Sequence, residues 1–383
     1  MRYRSPAGHP RHARGVRPVL ALLLSALALV TSAATPRAQS QPAAASVFPG
    51  AEWEPIVDPR AAGYCTPDFA DATAHVTTLP TTAAMVIVGG RVLWQHGEVG
   101  AVSYLASVRK SILATMFGRY VANGRIRLDA TMLELGIDDV NGLLPAEKEA
   151  TVADLLSARS GVYHEASNAA CTGCGSTAGD PPGARGSVPR GTYFLYNNWD
   201  FNALGTVFEQ ATGENIYNAF ERDFARPLGF QDFDRSAQRK TVNLDRSVHP
   251  AYHFYLSTRD MARFGYLILR GGGWNGQQIV PADWVTTMTS VVTPVDEMNP
   301  ENYRRGPFGY GYLWWIWDGP ANTGIYRGGF TGVGAIGQYI TVLPELDMVI
   351  AHKTRPQRGN PSVGRGDYLA LIERIAGARC GQR

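Results

Sequence analysis

An unbroken apolar run, Ala83-Ala84-Met85-Val86-Ile87-Val88, is followed by Gly89-Gly90 and then by Arg91-Val92-Leu93-Trp94-Gln95. Two short strand-like runs around a glycine pair predict a β-hairpin, because a two-residue turn needs positive φ at both central positions. Upstream, Thr66-Pro67-Asp68 reads as a helix start, with Thr66 as cap and Pro67 in the first position, running to about Leu79 before Pro80. Downstream, a helix carrying Ser107 is expected to reach Ala122 and stop at Asn123-Gly124. Helical signals then dominate to about residue 290: Thr151–Leu156, Asn202–Thr212, Ile216–Ala225, a helix capped by Ser257 through Leu269, and one opened by Pro281-Ala282-Asp283-Trp284. Residues 163–192 form a long Gly-, Pro- and Cys-rich loop, a length that points to function or disorder. Strands return at Gly309–Trp317, Gly334–Thr341 and Asp347–His352, the last two linked by Leu343-Pro344-Glu345, and Asp367–Ala376 closes the chain as a helix. The predicted class is α/β (α+β): one antiparallel sheet assembled from both ends of the chain, flanked by N- and C-terminal helices, with an all-helical subdomain inserted. The sheet part is expected at 61–105 and 300–378 and the helical subdomain at about 106–299.

The N-terminus changes how the charge is read. Arg2, Arg4, Arg11, Arg14 and Arg17 precede the apolar run Val19–Val30, which is too short to span a membrane comfortably, and Thr31-Ser32-Ala33-Ala34 supplies small residues. This predicts a signal peptide over 1–34, cleaved near Ala33/Ala34. It implies export to the periplasm or medium, with no stable membrane anchor afterwards. Residues 35–60 read as a linker or N-terminal arm. The whole chain carries a formal charge of +3; without those five arginines it has 31 basic against 33 acidic residues, or −2. The basic balance thus resides in the signal, and no charge-based case for nucleic acid remains. Four cysteines, Cys65, Cys171, Cys174 and Cys380, fit an exported protein and allow three pairings. We expect Cys65–Cys380 to tie the ends of the domain and Cys171–Cys174 to close a small loop. Only His164 stands near the Cys-x-x-Cys, so no metal is expected. No cofactor is implied.

Candidate chemistry centres on Ser107-Val108-Arg109-Lys110. Residues three apart share a helix face, so Lys110 would lie beside Ser107 at a helix N-terminus, where free N–H groups favour an oxyanion. An adjacent lysine amine can activate a serine. The chain has only four lysines, Lys110, Lys148, Lys240 and Lys353, and uses arginine for most positive charge. Arginine cannot act as a base, so a lysine kept at 110 is informative. The bland alternative is an N-capping serine and a solvated lysine. There is no Gly-x-Ser-x-Gly elbow and no His-Glu-x-x-His; His164-Glu165 lacks its second histidine.

Further segments occur in order: Thr151-Val-Ala-Asp-Leu-Leu-Ser-Ala-Arg-Ser-Gly161, Gly191-Thr-Tyr-Phe-Leu-Tyr196-Asn-Asn198, and Ser257-Thr-Arg-Asp-Met-Ala-Arg-Phe-Gly265 with Trp274-Asn-Gly276 and Trp284. Together with Ser107-x-x-Lys110 they resemble the serine β-lactamase and penicillin-binding-protein superfamily, in its class C-like, esterase and 6-aminohexanoate-dimer-hydrolase branch, over about residues 61–376. The resemblance implies an acyl-enzyme hydrolase with Ser107 as nucleophile, Lys110 and Tyr196 as base and proton relay, and Asn198 bonding the lysine or the substrate amide. A phenolic base would need its pKa lowered by nearby positive charge such as Lys110. The family's Lys-Thr-Gly on the edge strand is missing. Lys353-Thr354 is followed by Arg355 and is expected after the last strand, so it is set aside. Two replacements are weighed: Arg327-Gly328-Gly329 and, preferred, Gly332-Val333-Gly334, because Gly334-Ala335-Ile336-Gly337-Gln338 resembles a Gly-x-x-Gly-Gln run of that branch. The second register makes the N–H groups of Ser107 and Ala335 the oxyanion donors. An apolar strand there implies neutral esters or small amides rather than carboxylate-bearing β-lactams or peptide-like substrates. A β-lactamase, a D-Ala-D-Ala carboxypeptidase-like enzyme and a non-turning-over sensor are the competing readings. The aromatic run Tyr310, Tyr312, Trp314, Trp315 and Trp317 is expected to be mainly sheet core.

Overall fold

The computed structural model describes residues 47–65, 69–168, 177–355 and 362–381. The expected signal segment, the helix start at Thr66-Pro67-Asp68 and the Cys171–Cys174 pair lie outside the described residues.

In chain order the strands are β1 (Ala83–Val88), β2 (Arg91–Gly97), β3 (Ser103–Tyr104), β4 (Arg239–Asn243), β5 (Ser247–His253), β6 (Tyr255–Leu256), β7 (Gly273–Trp274), β8 (Gln277–Gln278), β9 (Phe308–Tyr310), β10 (Trp315–Trp317), β11 (Phe330–Gly334), β12 (Gln338–Leu343) and β13 (Met348–Lys353). The helices are α1 (Phe69–Thr77), α2 (Val108–Ala122), α3 (Pro145–Lys148), α4 (Val152–Leu156), α5 (Asn198–Thr212), α6 (Ile216–Phe220), α7 (Thr258–Leu269), α8 (Ala282–Met288) and α9 (Arg365–Gly377). A seven-stranded antiparallel sheet has the order β2-β1-β13-β12-β11-β10-β9, so both chain ends build it. Gly89 and Gly90 take φ of 57° and 85°, as the β1–β2 turn requires.

Side chains alternate across β12. Tyr339 stacks on Tyr368 of α9, and the Tyr368 hydroxyl donates to Thr341 Oγ1 (2.6 Å). On the other face Ile340 meets Gly265 of α7, where an added Cβ would come within 2.9 Å of it and 2.6 Å of Val349. The same close approach recurs under α2. Nearly all of this helix is buried, and a Cβ at Gly118 would lie 2.3 Å from the Trp284 ring of α8. Trp284 Nε1 donates to the Ala114 carbonyl, locking the two helices together (2.9 Å). Cys65 and Cys380 form a disulfide, flanked by backbone bonds from Cys65 N–H to Ala378 O and from Cys380 N–H to Gly63 O. No helix among the described residues is long and apolar enough to cross a membrane.

Several expectations are corrected. Gly309–Trp317 is not one strand: the chain turns at Gly311–Trp314, where Leu313 takes φ 59°, and returns as β10 against β9. Gly334–Thr341 likewise divides, with Gly334 ending β11 and a turn at Ala335–Gly337 before β12. β10 pairs with β11 only at Phe330 and Thr331, so Gly332-Val333-Gly334 has β12 on one side and lies beyond the end of β10 on the other. Lys353 ends β13 rather than following it. The helical stretch also contains the β4–β5 and β7–β8 hairpins and β6, which pairs with β3 just ahead of the stretch. Finally, α5 starts at Asn198, four residues earlier than expected, because Asn197 caps it by accepting from Trp199 N–H (3.0 Å).

Candidate active site

Ser107 stands where β3 passes into α2. Leu105 N–H donates to Phe254 O (3.0 Å), and Ala106 is forced to φ 48°, a left-handed conformation costly for a residue with a Cβ. Val108 N–H then bonds Leu105 O (3.2 Å) and the helix begins. Ser107 makes no capping bond with its side chain, and Lys110 is only 2% exposed. Neither half of the bland reading, a capping serine and a solvated lysine, matches this geometry.

Lys110 Nζ donates to Ser107 Oγ (2.9 Å) and to Tyr196 Oη (2.6 Å). It also lies 4.2 Å from the centre of the Tyr196 ring and 4.5 Å from that of Phe201. Burial, and then the charge of neighbouring Arg109, holds the Lys110 amine well below the ordinary lysine pKa. Burial pushes the Tyr196 phenol up, outweighing the Ser107 hydrogen bond and the Arg109 charge that pull it down. The surroundings therefore do not favour a phenolate: burial favours the uncharged form of both groups.

Local structure explains why Tyr196 arrives there. Leu195 N–H bonds Ala158 O (2.9 Å), and Ala178 N–H bonds Tyr196 O (2.9 Å). Asn197 Nδ2 donates to Val162 O (2.8 Å), and Ser160 Oγ donates to buried Asp200 (2.7 Å). The Ser160-Gly161 segment therefore fixes the start of α5. Behind Tyr196, the rings of Phe201, Trp315 and Tyr310 stand at 4.7, 5.8 and 6.3 Å. Tyr310, Trp314, Trp315 and Trp317 are buried core, whereas Tyr312 is half-buried. Asn198 Nδ2 donates to the Asn168 carbonyl of the long loop (3.3 Å).

β11 runs directly against this corner. A Cβ at Gly332 would lie 3.1 Å from Ser111 Oγ, and one at Gly334 would lie 2.6 Å from Leu105 O and 3.3 Å from Ala106 Cβ. Ala335 follows, exposed, in the turn. Arg327 is exposed in the turn before β11, and a Cβ at Gly329 would meet Tyr326 O and Trp317 rather than α2. Lys353 is two strands from β11. It is buried, and its Nζ donates to Ser103 O (2.8 Å) and to Leu256 O, tying β13 to the β3–β6 pair. His164 is bonded through its ring to Glu165 O and Val140 O. No group of three or more metal-ligating side chains gathers among the described residues. Two open clefts lie elsewhere: one of about 480 Å³ lined by Trp53, Ile56 and Trp94, another of about 530 Å³ by Arg119, Arg222 and Gln277.

The family model described as beta-lactamase matches residues 69–373. The chain belongs to the beta-lactamase family of serine hydrolases. Within that family it is similar to the 6-aminohexanoate-dimer hydrolase of Paenarthrobacter ureafaciens, at 28% identity over 162 residues, 41% of this chain and 38% of that protein. The chain spans 29% and 38% of the length of the curated relatives it matches. Among beta-lactamase-like folds of known structure, a putative 6-aminohexanoate-dimer hydrolase from Bacillus anthracis aligns with TM-score 0.61 at 17% identity, over 85% of this chain and 87% of that one. EstCE1, a hydrolase with promiscuous acyltransferase activity, aligns with TM-score 0.57 at 16% identity, over 81% and 97%. At these identities the two structures speak for the fold.

Two features had only a weak signal in the sequence. Arg109, an interior residue of the Ser-x-x-Lys motif, is buried beside Lys110. The burial of Lys353 follows from its place in β13 opposite Ala83, which no local sequence pattern marks.

Proposed function

We propose that this chain is an exported acyl-enzyme hydrolase of neutral esters or small amides, with its site between the sheet part and the mainly helical part (about 106–299). One observation carries the reading: a buried lysine amine within hydrogen-bond reach of both a serine hydroxyl at a helix N-terminus and a tyrosine phenol. The Ser107 hydroxyl gives its proton to the Lys110 amine while Oγ attacks the substrate carbonyl carbon. The carbonyl oxygen becomes an oxyanion facing the N–H groups of Ser107 and Ala335. As the carbonyl reforms, the bond to the leaving oxygen or nitrogen breaks, and that atom takes a proton from the Tyr196 phenol. The Lys110 ammonium reprotonates Tyr196. Water then attacks the acyl-Ser107 ester, loses its proton to the same pair, and Ser107 leaves with a proton. Asn198 steadies the loop carbonyl at Asn168, at the start of α5.

The preference for neutral substrates rests on β11, which offers Gly332-Val333-Gly334 and neither a cation nor a hydroxyl at these three positions. The 6-aminohexanoate-dimer-hydrolase relative supports amides. Export is supported by the basic and apolar N-terminal pattern and by the disulfide. Mass spectrometry after a fluorophosphonate, on wild type and Ser107→Ala, tests the proposal. A single adduct on wild type and none on the variant supports it; an unlabelled wild type ends it. An activated-ester adduct that never turns over points instead to a sensor. Nitrocefin turnover as fast as that of a nitrophenyl ester overturns the substrate preference.

A further inference from the structure

Two basic side chains are buried next to each other in the Ser-x-x-Lys turn. Arg109 is 3% exposed and Lys110 2%. Successive helical side chains point about 100° apart, so the two diverge. Lys110 goes to Ser107, Tyr196 and Phe201, while the Arg109 guanidinium lies 4.3 Å over the Tyr252 ring and Nη2 donates to Asn202 Oδ1 (3.0 Å). Every one of these partners is uncharged. Neither basic residue takes part in an ion pair among the described residues.

We propose that Arg109 is a positioning residue: its fixed charge keeps Lys110 a free amine and so sets the direction in which the Ser107 proton moves. This rests on the acyl-enzyme reading above. A guanidinium does not lose its proton in a protein, whereas a buried ammonium does so readily. Where two neighbouring buried cations have no carboxylate between them, the lysine is the one that becomes neutral. The surroundings supply no compensating anion. Around the pair stand Tyr104 of β3, Tyr196 and Asp200 at the start of α5, Tyr217 of α6, Tyr252 and His253 of β5, Tyr303 ahead of β9, and Tyr310 of β9. Burial holds these tyrosines in the phenol form. It also holds His253 neutral, at about 4, and pushes the Asp200 carboxyl well up toward its neutral form.

Asn202 offers a test that leaves Arg109 in place. Asn202→Asp keeps the acceptor oxygen but gives the guanidinium a counter-charge, and Arg109→Gln removes the charge. The readout is the pH dependence of kcat/KM for a nitrophenyl ester, alongside the pH dependence of fluorophosphonate labelling. With the fixed charge cancelled or removed, Lys110 holds its proton to higher pH. The acid limb of both variants should move up by about one pH unit or more, a roughly tenfold loss just below the wild-type limb. A folded variant that loses rate equally at every pH, with its limb unmoved, overturns the proposal. If Arg109→Gln does not fold, Asn202→Asp alone decides. A wild type that the fluorophosphonate does not label removes the acyl-enzyme reading itself, a different result from a labelled protein with an unmoved limb.

Discussion

Replacing Gly334 with alanine tests the corner between β11 and Ser107, the proposed nucleophile. The new Cβ would stand 2.6 Å from the Leu105 carbonyl oxygen and 2.8 Å from Gln338 Cβ, where ordinary contact begins at 3.4 Å. Leu105 O belongs to the main chain two residues before Ser107, so no side chain can swing aside. About 0.8 Å must be found by moving β11 away from the turn that carries Ser107. Overpacking of this kind costs about 1–3 kcal/mol in stability, which lowers Tm by roughly 1.5 °C per kcal/mol for a domain of this size. The effect on rate should be larger. Displacing a reacting group by about 1 Å costs about 10²-fold, and losing one oxyanion donor costs about 10²–10³-fold. We therefore expect kcat/KM for a nitrophenyl ester, and the rate of fluorophosphonate labelling, to fall about 100-fold while the protein still folds. Gly366→Ala is the control, since a Cβ there meets nothing within 4 Å and the backbone is not left-handed. Wild-type rates in a folded Gly334→Ala would refute the placement of the oxyanion site beside β11.

Three other outcomes follow from described contacts. Lys110→Arg should abolish ester hydrolysis as fully as Lys110→Ala, because arginine restores charge but not basicity; near-normal turnover in Lys110→Arg would rule out the base role. Cys65→Ser with Cys380→Ser opens the covalent link across 315 positions and should lower stability by about 2–5 kcal/mol, read as a shift in the urea midpoint; an unmoved midpoint would show that backbone pairing alone holds the ends. Burial keeps His352 neutral, at about 4, with its ring bonded to Gly337 O and Thr81 Oγ1. In the unfolded chain it gains a proton below about 6.5, so stability is complete above that pH and falls as pH drops toward 4. His352→Gln should flatten this fall, and unchanged slopes in urea titrations between pH 6.5 and 4 would exclude the assignment.

The sheet was readable because its central strands are short apolar runs marked by turn residues. Gly89-Gly90 and Pro344 give away β1–β2 and β12–β13. The same rules missed the β9–β10 turn, since the residue there with positive φ is Leu313, not glycine. They also missed β3 and β6, two residues each, whose pairing joins positions about 150 apart. Such pairs leave no local period. The Ser107, Lys110 and Tyr196 geometry agrees with the order of the segments in the chain. The electrostatic balance did not emerge from that order, because it depends on which charges are buried without a carboxylate. Arg109 shows this: by type it is a surface residue, and only the packing of α5 and β5 around it makes it a buried charge.

The pairing of β1 with β13 also governs when the sheet can be completed during synthesis. Ala83–Val88 is apolar throughout and lies between β2 and β13, with Ala83 opposite Lys353. During synthesis this strand emerges some 260 residues ahead of its second neighbour. Until then one side of it is an unpaired, sticky edge, the kind of segment that seeds aggregation. Ser107 is likewise made long before β11, the strand that packs beside it. A growing chain can form α1 to α8 before β13 emerges, but it cannot complete the sheet. A chain cut short before β13 would carry Ser107 without the strand that closes the sheet between β1 and β12.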